Sequence, residues 1–209
     1  GLAEQATQLA MSYAADRVQG RAPDAQRGEN TPVAIASHPD VRNMLMTMRA
    51  LTDAARAICY ANGVFHDLAH FADDDKAKAF NELLTPISKA FSTDIANEVS
   101  SLGVQIHGGM GFVEETGIAQ FVRDAKILPI YEGTNGIQAI DLINRKLPLA
   151  NGAIISEYLD QIEETINQCS GEETLKELSS ALKNGLADLR VATDFMLTHP
   201  DKLDRLYGA

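Results

Sequence analysis

The amino-acid sequence predicts an all-α fold, an up-down helical bundle with an added C-terminal helical hairpin. Two long stretches repeat apolar residues every three or four positions, the first from Val41 to Phe65 and the second from Ala79 to Leu102. This spacing places the apolar residues on one face of a helix. A third observation is that two shorter stretches with the same pattern follow the segment 148–152. No internal repeat occurs, and no heptad run is long enough to predict a coiled coil.

The N-terminal quarter is predicted to hold one helix, one loop and the start of a second helix. The first helix is expected from Leu2 to Val18, and the polar, proline-containing residues 20–37 are expected to form a loop. The segment Ser37–Asp40 predicts a helix start, because its serine can cap the first turn and its proline loses no needed N–H there. The long helix of the first apolar stretch follows from this start.

The second half of the bundle begins with the other long helix. Pro86 lies inside it and predicts a kink, since proline removes a helical hydrogen bond. Residues 114–128 are predicted to form one or two short helices. Residues 134–147 are predicted to form a short amphipathic helix that ends before a proline.

The Pro-Leu-Ala-Asn-Gly segment at 148–152 predicts a boundary. After it, apolar spacing predicts one helix over 154–166 and a second over 175–189, joined by a Ser-Gly turn as a helical hairpin. We therefore expect a helical bundle domain at 1–150 and a C-terminal helical extension at 151–209.

Composition narrows the class of protein. The 209 residues are 45% hydrophobic with a formal net charge of −11, which speaks against a surface that seeks nucleic acid or anionic membrane. No apolar run has the length of a membrane span, and the N-terminus lacks the pattern of a signal peptide. Cys59 and Cys169 both fall in apolar helical patterns, so we expect buried thiols in a reducing compartment, the cytoplasm.

Glycines concentrate in one segment between two helices. Residues Gln105–Phe112 read Gln-Ile-His-Gly-Gly-Met-Gly-Phe. Because glycine has no Cβ, the backbone at Gly108, Gly109 and Gly111 can come close to a bulky ligand, for example an anion. The same glycines can also serve as helix-terminating turns.

A single acid stands in the next unusual segment, Ile130–Gln138. Glu132 comes just before a helix that Thr134 can cap, so its carboxylate is predicted near a positive helix end, with Gly133 leaving room beside it. A carboxylate so placed can abstract a proton. It can also be a solvated helix cap, and the residues alone leave both interpretations open.

Three motifs in this order resemble a known family, the acyl-CoA dehydrogenases. They are the Gln-x-x-Gly-Gly-x-Gly turn that begins at Gln105, the Arg123-Asp-Ala run and the Tyr131-Glu-Gly-Thr run. In that family they belong to the C-terminal helical domain, and the resemblance extends from Gly1 to about Leu147.

The resemblance implies roles for individual residues. Glu132 corresponds to the catalytic base that removes the α-proton of the acyl thioester, and Gly133 would border the substrate. The residues implied to bind FAD are Arg17, His38, Gln105, Gly108, Gly109, Thr134 and Asn135. In the family, the glutamine and glycines of the turn bind the FAD of a neighbouring subunit.

Two of these positions depart from the family pattern. The arginine that corresponds to Arg17 reaches the flavin pyrophosphate and is commonly followed by Phe-Gly, whereas Val-Gln-Gly-Arg follows here. An aromatic flavin contact is therefore missing. Relatives often have His-Gln where this chain has His38-Pro39.

The implied activity is α,β-dehydrogenation of an acyl-CoA, with FAD as hydride acceptor and a protein such as electron-transfer flavoprotein as electron acceptor. The family's N-terminal helical domain and middle β-domain have no counterpart here, so we expect a C-terminal piece of a larger, homo-oligomeric enzyme, inactive alone. The added hairpin, with Glu132–Gln138, resembles a larger bacterial subgroup that includes 3-methylmercaptopropionyl-CoA dehydrogenase-like enzymes.

Other classes of function find less support in the sequence. A di-iron bundle needs Glu-x-x-His pairs, and the chain has none. His66 and His70 have the i, i+4 spacing of zinc peptidases, but the acid between them is Asp rather than Glu. We expect no metal site. A non-catalytic relative that acts as a helical binding or oligomerisation module is the alternative; the acidic composition and Glu132 favour the enzyme.

Overall fold

The computed structural model describes residues 1–26, 28 and 30–208, and in this range the chain is almost entirely helical. The α-helices are α1 (Leu2–Asp16), α2 (Pro39–Phe71), α3 (Asp75–His107), α4 (Gly109–Phe112), α5 (Ile118–Ala125), α6 (Asn135–Asp141), α7 (Ala153–Cys169), α8 (Lys176–Thr198) and α9 (Lys202–Tyr207). The all-α prediction is confirmed. Helix α9 was not predicted.

The two long helices each contain 33 residues. Helix α2 begins at Pro39, in the first helical position where proline is well tolerated. A 3-10 turn at Ile35–Ser37 precedes it, so Ser37 lies one residue too early to be its cap, and that part of the prediction is wrong. Helix α3 continues through Pro86, whose side chain is fully buried.

A two-stranded antiparallel sheet replaces part of the loop predicted at 20–37. Strand β1 (Val18–Arg21) pairs with β2 (Pro32–Ala34), and the Ile35 N–H donates to the Arg17 carbonyl oxygen at 2.8 Å. Backbone pairing holds this hairpin, since all four side chains of β1 are exposed. Residues 27 and 29 of the predicted loop lie outside the described residues.

One compact unit consists of Gly1–Tyr60 and Ser88–Thr134. Its core is built on the alanine face of α1 together with larger side chains of α2, α3 and α5. The buried members are Ala3, Ala6, Ala10, Ala14, Val41, Met48, Ala55, Ile95, Val99, Ile106 and Ile118. Small residues on α1 let the neighbouring helices approach closely. At the centre, the buried hydroxyls of Thr7 and Thr52 lie 3.2 Å apart and hydrogen-bond each other.

A second compact unit consists of Ala61–Ile87 and Asn135–Ala209. Helices α7 and α8 form the predicted hairpin, and their apolar faces supply most of the core. The buried members are Leu83, Ile143, Leu147, Ile155, Leu159, Ile166 and Leu186. Full burial of one such side chain stabilises the fold by about 1.5–3 kcal/mol. The division into a domain at 1–150 and an extension at 151–209 stays a prediction.

The two cysteines are free thiols, but their surroundings differ from the prediction. Cys59 is exposed and Cys169 is half-buried, so the expectation of two buried thiols is wrong. The Cys59 sulfur lies 3.3 Å from the Ser92 hydroxyl oxygen. An apolar helical pattern includes positions at the edge of the buried face, and Cys59 occupies one of them.

Candidate functional site

The glycine turn follows the end of α3. Gly108 has a φ of 59° and α4 begins at the next residue; a side chain at such a φ would be strained. A Cβ at Gly108 or Gly109 would meet no atom within 4 Å, so both backbones lie at an open surface. Gly111 serves packing instead, because its Cβ would lie 2.3 Å from the Val104 carbonyl oxygen.

A groove with a volume of about 680 Å³ opens beside this turn, and we call it the Arg17 groove. Four residues implied to bind a cofactor line it, namely Arg17, His38, Gly108 and Gly109. Apolar side chains of Ile35, Val41 and Ile106 share its wall with the carboxylate of Asp40. The groove therefore combines a cation, open backbone, an apolar surface and one acid.

The β-hairpin organises the rim of the Arg17 groove. His38 Nε2 donates to the Gln19 carbonyl oxygen at 2.8 Å, and Arg17 Nη2 donates to the Gln19 side-chain oxygen at 3.3 Å. Gly20 has a φ of 73°, and a Cβ there would lie 3.2 Å from the His38 ring. Strand β1 thus fixes the histidine ring and keeps the guanidinium at the exposed edge.

A stacked pair of rings forms the inner wall of the groove. The rings of Tyr13 and His107 have centroids 4.1 Å apart and planes 21° apart. His107 is 4% exposed, and its Nδ1 lies 2.7 Å from the Gly103 carbonyl oxygen. Burial lowers the pKa of His107, although the bond to Gly103 acts in the opposite direction. Sequence reasoning missed this pair, since only folding brings α1 to the end of α3.

Glu132 lies in a second structural feature, the turn Tyr131–Thr134, which we call the Glu132 turn. Glu132 is exposed and has a φ of 55°, and the following Gly133 has a φ of 84°. A left-handed conformation costs a residue with a Cβ roughly 1–2 kcal/mol. Helix α6 begins directly after Thr134, as the capping argument requires.

Lys89 supports this turn and was also missed. Its Nζ donates to the Gly133 carbonyl oxygen at 2.8 Å. Asn97, two turns further along α3, donates its side-chain N–H to the Ala125 carbonyl oxygen at 2.9 Å and so fixes the end of α5. Both ends of the segment between α5 and α6 are therefore held by polar side chains of α3.

The predicted site residues thus fall into separate places. Gln105 is exposed in the last turn of α3, and its carbonyl oxygen accepts from the Gly108 N–H at 3.1 Å. Neither Gln105 nor the residues of the Glu132 turn line the Arg17 groove. Asn135 is the first residue of α6 and belongs to the second unit.

The charged side chains of the Arg-Asp-Ala motif bind residues outside the motif. Arg123 lies 3.6 Å from the Glu114 carboxylate and donates to Gln120 at 2.9 Å, while Asp124 accepts from Gln120 at 2.6 Å. The motif fixes α5 to the 3-10 turn before it.

Metal and membrane sites were searched in the part of the chain that the structure describes. No group of three or more His, Cys, Asp or Glu side chains there has the geometry to hold a metal ion. The His66 and His70 rings lie 4.6 Å apart, centroid to centroid. No helix in the described residues combines the length and apolar character needed to cross a bilayer.

The fold and the three motifs define the class of protein. The family model described as "Acyl-CoA dehydrogenase, C-terminal domain" matches residues 1–147. The chain therefore belongs to the acyl-CoA dehydrogenase family, and the resemblance inferred from the motifs is confirmed.

Curated relatives carry the comparison beyond residue 147. The chain is 45% identical over 200 residues to 3-methylmercaptopropionyl-CoA dehydrogenase of Ruegeria pomeroyi, covering 94% of this chain and 34% of the relative. It is 32% identical over 208 residues to the broad-specificity linear acyl-CoA dehydrogenase FadE5 of Mycobacterium tuberculosis, covering 95% of this chain and 34% of that protein. The chain thus spans about a third of the length of these relatives.

Solved structures share the fold. ACDH-11 of Caenorhabditis elegans in complex with C11-CoA aligns with a TM-score of 0.74 at 22% identity, covering 97% of this chain and 33% of that one. The acyl-CoA dehydrogenase of Bacillus anthracis complexed with FAD aligns with a TM-score of 0.62 at 24% identity, covering 92% of this chain and 34% of that one. At these identities the likeness supports the helical fold.

Proposed function

We propose that this chain is the C-terminal helical domain of a flavin-dependent acyl-CoA dehydrogenase and that Glu132 is its catalytic base. The proposed reaction is α,β-dehydrogenation of an acyl-CoA thioester, and FAD, when bound, supplies the acceptor for the hydride from Cβ. The observation that carries the proposal is a carboxylate in a left-handed turn whose next carbonyl group is held by Lys89.

Glu132 has the properties that a general base needs. The residue is exposed, so a substrate can approach it, and its backbone is fixed by the turn rather than by a helix. Left-handed residues other than glycine are uncommon and concentrate at functional sites, where the surroundings maintain the strain. In the proposed reaction Glu132 takes the α-proton, and Gly133 leaves room for the thioester.

The Arg17 groove is suited to the phosphate-bearing part of FAD. The guanidinium of Arg17 can bind phosphate oxygens with two parallel hydrogen bonds, and the open backbones of Gly108 and Gly109 allow close approach. Asp40 also lines the groove, and its carboxylate would repel a phosphate placed beside it. The phosphates are therefore expected on the Arg17 side of the groove, where His38 is a further proposed contact. Gln105, Thr134 and Asn135 do not line this groove; they stay proposed flavin contacts on the family resemblance alone.

The proposed partners follow from family membership. Relatives are named for acyl-CoA substrates, so we propose an acyl-CoA as substrate and electron-transfer flavoprotein as electron acceptor. A homo-oligomer is proposed because the glycine turn of this family binds the FAD of a neighbouring subunit. We propose the cytoplasm as location, in keeping with two free thiols.

The test uses the complete enzyme of which this chain is proposed to be the C-terminal domain. Glu132→Gln keeps the shape of the side chain but cannot accept a proton, so reduction of the flavin by acyl-CoA should slow by about 10²–10⁴-fold. Flavin content and acyl-CoA binding should stay near wild type. Gln105→Ala should chiefly weaken flavin retention.

Glu115→Gln is the matched control, because Glu115 is another exposed acid of the first unit. It should reduce flavin at the wild-type rate. If Glu132→Gln also does so, Glu132 is not the base. If the complete wild-type protein holds no flavin and oxidises no acyl-CoA, the chain is the non-catalytic helical module considered as the alternative.

A further inference from the structure

Lys89 contacts the turn that carries the proposed base, and it does so from a separate helix. Its Nζ donates to the Gly133 carbonyl oxygen at 2.8 Å, and both residues are half-buried. A hydrogen bond at a half-buried position is electrostatically stronger than one in open water. Lys89 lies inside the 33-residue helix α3, so its backbone is held independently of the turn. The bond therefore ties one peptide group of the Glu132 turn to a long helix of the first unit.

The backbone of the turn needs such a tie. Glu132 and Gly133 follow each other with φ values of 55° and 84°. Glycine adopts a positive φ freely, whereas the Cβ of glutamate disfavours it. A residue in such a conformation keeps it only where its surroundings oppose a return to negative φ. Contacts between the turn and its neighbours must therefore maintain the backbone of Glu132.

The Lys89 bond is a contact of this kind. A change of φ at Glu132 displaces the Gly133 carbonyl group, which follows it in the chain. The bond therefore forms only while the left-handed turn is intact, and it favours that turn over relaxed alternatives. The donor is a charged ammonium group, which makes the bond stronger than one between neutral groups.

We propose that Lys89 is a positioning residue of the reaction. By holding the Gly133 carbonyl group, it keeps Glu132 left-handed and so fixes the direction in which the carboxylate leaves the turn. This inference rests on the proposed role of Glu132 as base. Lys89 itself transfers no proton and contacts no substrate. Its effect falls on the rate of proton removal rather than on acyl-CoA binding, because that rate depends on the geometry of the base.

The test measures reduction of the flavin by acyl-CoA in the complete enzyme. Lys89→Met keeps the aliphatic length and removes the donor. Flavin reduction at saturating acyl-CoA should slow by about 5-fold, as loss of one hydrogen bond does, while flavin content and the acyl-CoA dissociation constant stay unchanged. Lys89→Arg still donates and should recover most of the lost rate. A wild-type rate in Lys89→Met overturns the inference.

Asn97→Ala is the matched control. Asn97 also donates from α3 to a backbone carbonyl oxygen, that of Ala125 at 2.9 Å, but this bond holds the other end of the segment between α5 and α6. The variant should reduce flavin near the wild-type rate. An equal loss of rate in Asn97→Ala and Lys89→Met would mean that any loosening of the segment slows the reaction, and the inference would fail.

A double-mutant cycle separates this inference from the proposed function. If Lys89 acts through Glu132, Lys89→Met should slow the wild type but leave the residual rate of Glu132→Gln unchanged. An equal slowing in both backgrounds means that Lys89 acts by another route, so the inference fails while Glu132 stands as the base. If Glu132→Gln alone reduces flavin at the wild-type rate, the proposed function fails and the inference fails with it.

NMR spectra of this 209-residue chain test the structural step without flavin. The carbon chemical shifts of Glu132 should report a left-handed backbone in wild type and Lys89→Arg, and a move toward negative φ in Lys89→Met. A left-handed Glu132 in Lys89→Met overturns the inference. If Lys89→Met does not fold, the wild-type chain decides, because the Lys89 ammonium nitrogen should show a scalar coupling across the hydrogen bond to the Gly133 carbonyl carbon. Absence of this coupling overturns the inference as well.

Discussion

Replacing Gly133 with alanine perturbs the backbone of the Glu132 turn without touching the carboxylate. Gly133 has a φ of 84°, where a Cβ costs roughly 1–2 kcal/mol. Removing a glycine from the unfolded chain returns about 0.4–1 kcal/mol, because the unfolded chain then has less freedom to lose. The free energy of unfolding should therefore fall by about 0.8 kcal/mol, the difference between the midpoints of these two ranges.

The same chemical change should have the opposite sign where glycine lies inside a helix. Gly185 is in the interior of α8, without a positive φ, and a Cβ there would meet no atom within 4 Å. Alanine at this position should raise the free energy of unfolding by about 0.5–1 kcal/mol. Gly117→Ala is the matched control for the expected loss of stability, because Gly117 has a φ of 78° and a Cβ there would meet no atom within 4 Å.

Urea unfolding followed by circular dichroism measures these changes. Midpoints should shift while the m-value stays constant, which shows that stability alone has changed. In thermal unfolding, the melting temperature of a domain of this size should change by about 2–4 °C for each kcal/mol of change in the free energy of unfolding. Gly117 and Gly133 belong to the first unit and Gly185 to the second, so separate transitions, if seen, are assigned unit by unit.

One pattern of results would refute the reasoning. If Gly133→Ala is as stable as wild type while Gly117→Ala loses stability, the turn does not require a left-handed residue at Gly133. The described placement of Glu132 would then lose its backbone support. In the complete enzyme, Gly133→Ala should also slow flavin reduction, because the turn that carries the proposed base shifts.

Two further predictions concern charged side chains. Lys89→Met keeps the aliphatic length but loses the bond to the Gly133 carbonyl oxygen, so it should lower the free energy of unfolding by about 1 kcal/mol. Lys78→Met, at an exposed position of α3, is the control and should leave it unchanged. Equal melting temperatures of the two variants would contradict this prediction. Hydrogen bonds from Gln8 and then Arg56 lower the pKa of Glu4, and a bond from Arg49 lowers that of Asp53. The stabilisation by these two carboxylates is complete above their unfolded-state pKa values near 4 and is lost as the pH falls through their lower folded-state pKa values. In a series of melting temperatures from pH 6 to pH 2, the melting temperature should therefore decrease once the pH is below about 4. The decrease should be smaller in Arg56→Ala.

The helices could be predicted because their signal is local and repeated. Apolar residues at intervals of three and four recur along α2 and α3, so a few positions that depart from the pattern do not change the prediction of a helix. The β-hairpin offered no such signal. All four residues of β1 are exposed, and β2 has three residues, of which Pro32 is exposed. Strands this short show no alternation of buried and exposed residues that would predict them.

The local structure of the candidate site could be predicted only where a motif is contiguous in sequence. The glycine turn and the Glu132 turn each stand in one run of sequence, and both were found. Lys89 reaches Gly133 across 44 residues, and Tyr13 stacks on His107 from another helix. No pattern within either segment marks these partners, because their spacing is set by the packing of α1, α3 and the turn.

The strain at Glu132 is the observation that connects folding to chemistry. Among the described residues, the non-glycine positions with positive φ are Asp73, Glu132, Ala150 and Asn151. Aspartate and asparagine adopt this conformation more readily than other residues, so Asp73 and Asn151 need no special account. Ala150 shows that strain alone does not identify a base, since a methyl group has no proton chemistry. Among these four positions, Glu132 combines a carboxylate with a residue type that rarely adopts a positive φ, and glycine there would fold with less strain. The turn itself does not require an acid, and this supports the role of catalytic base that we propose for Glu132.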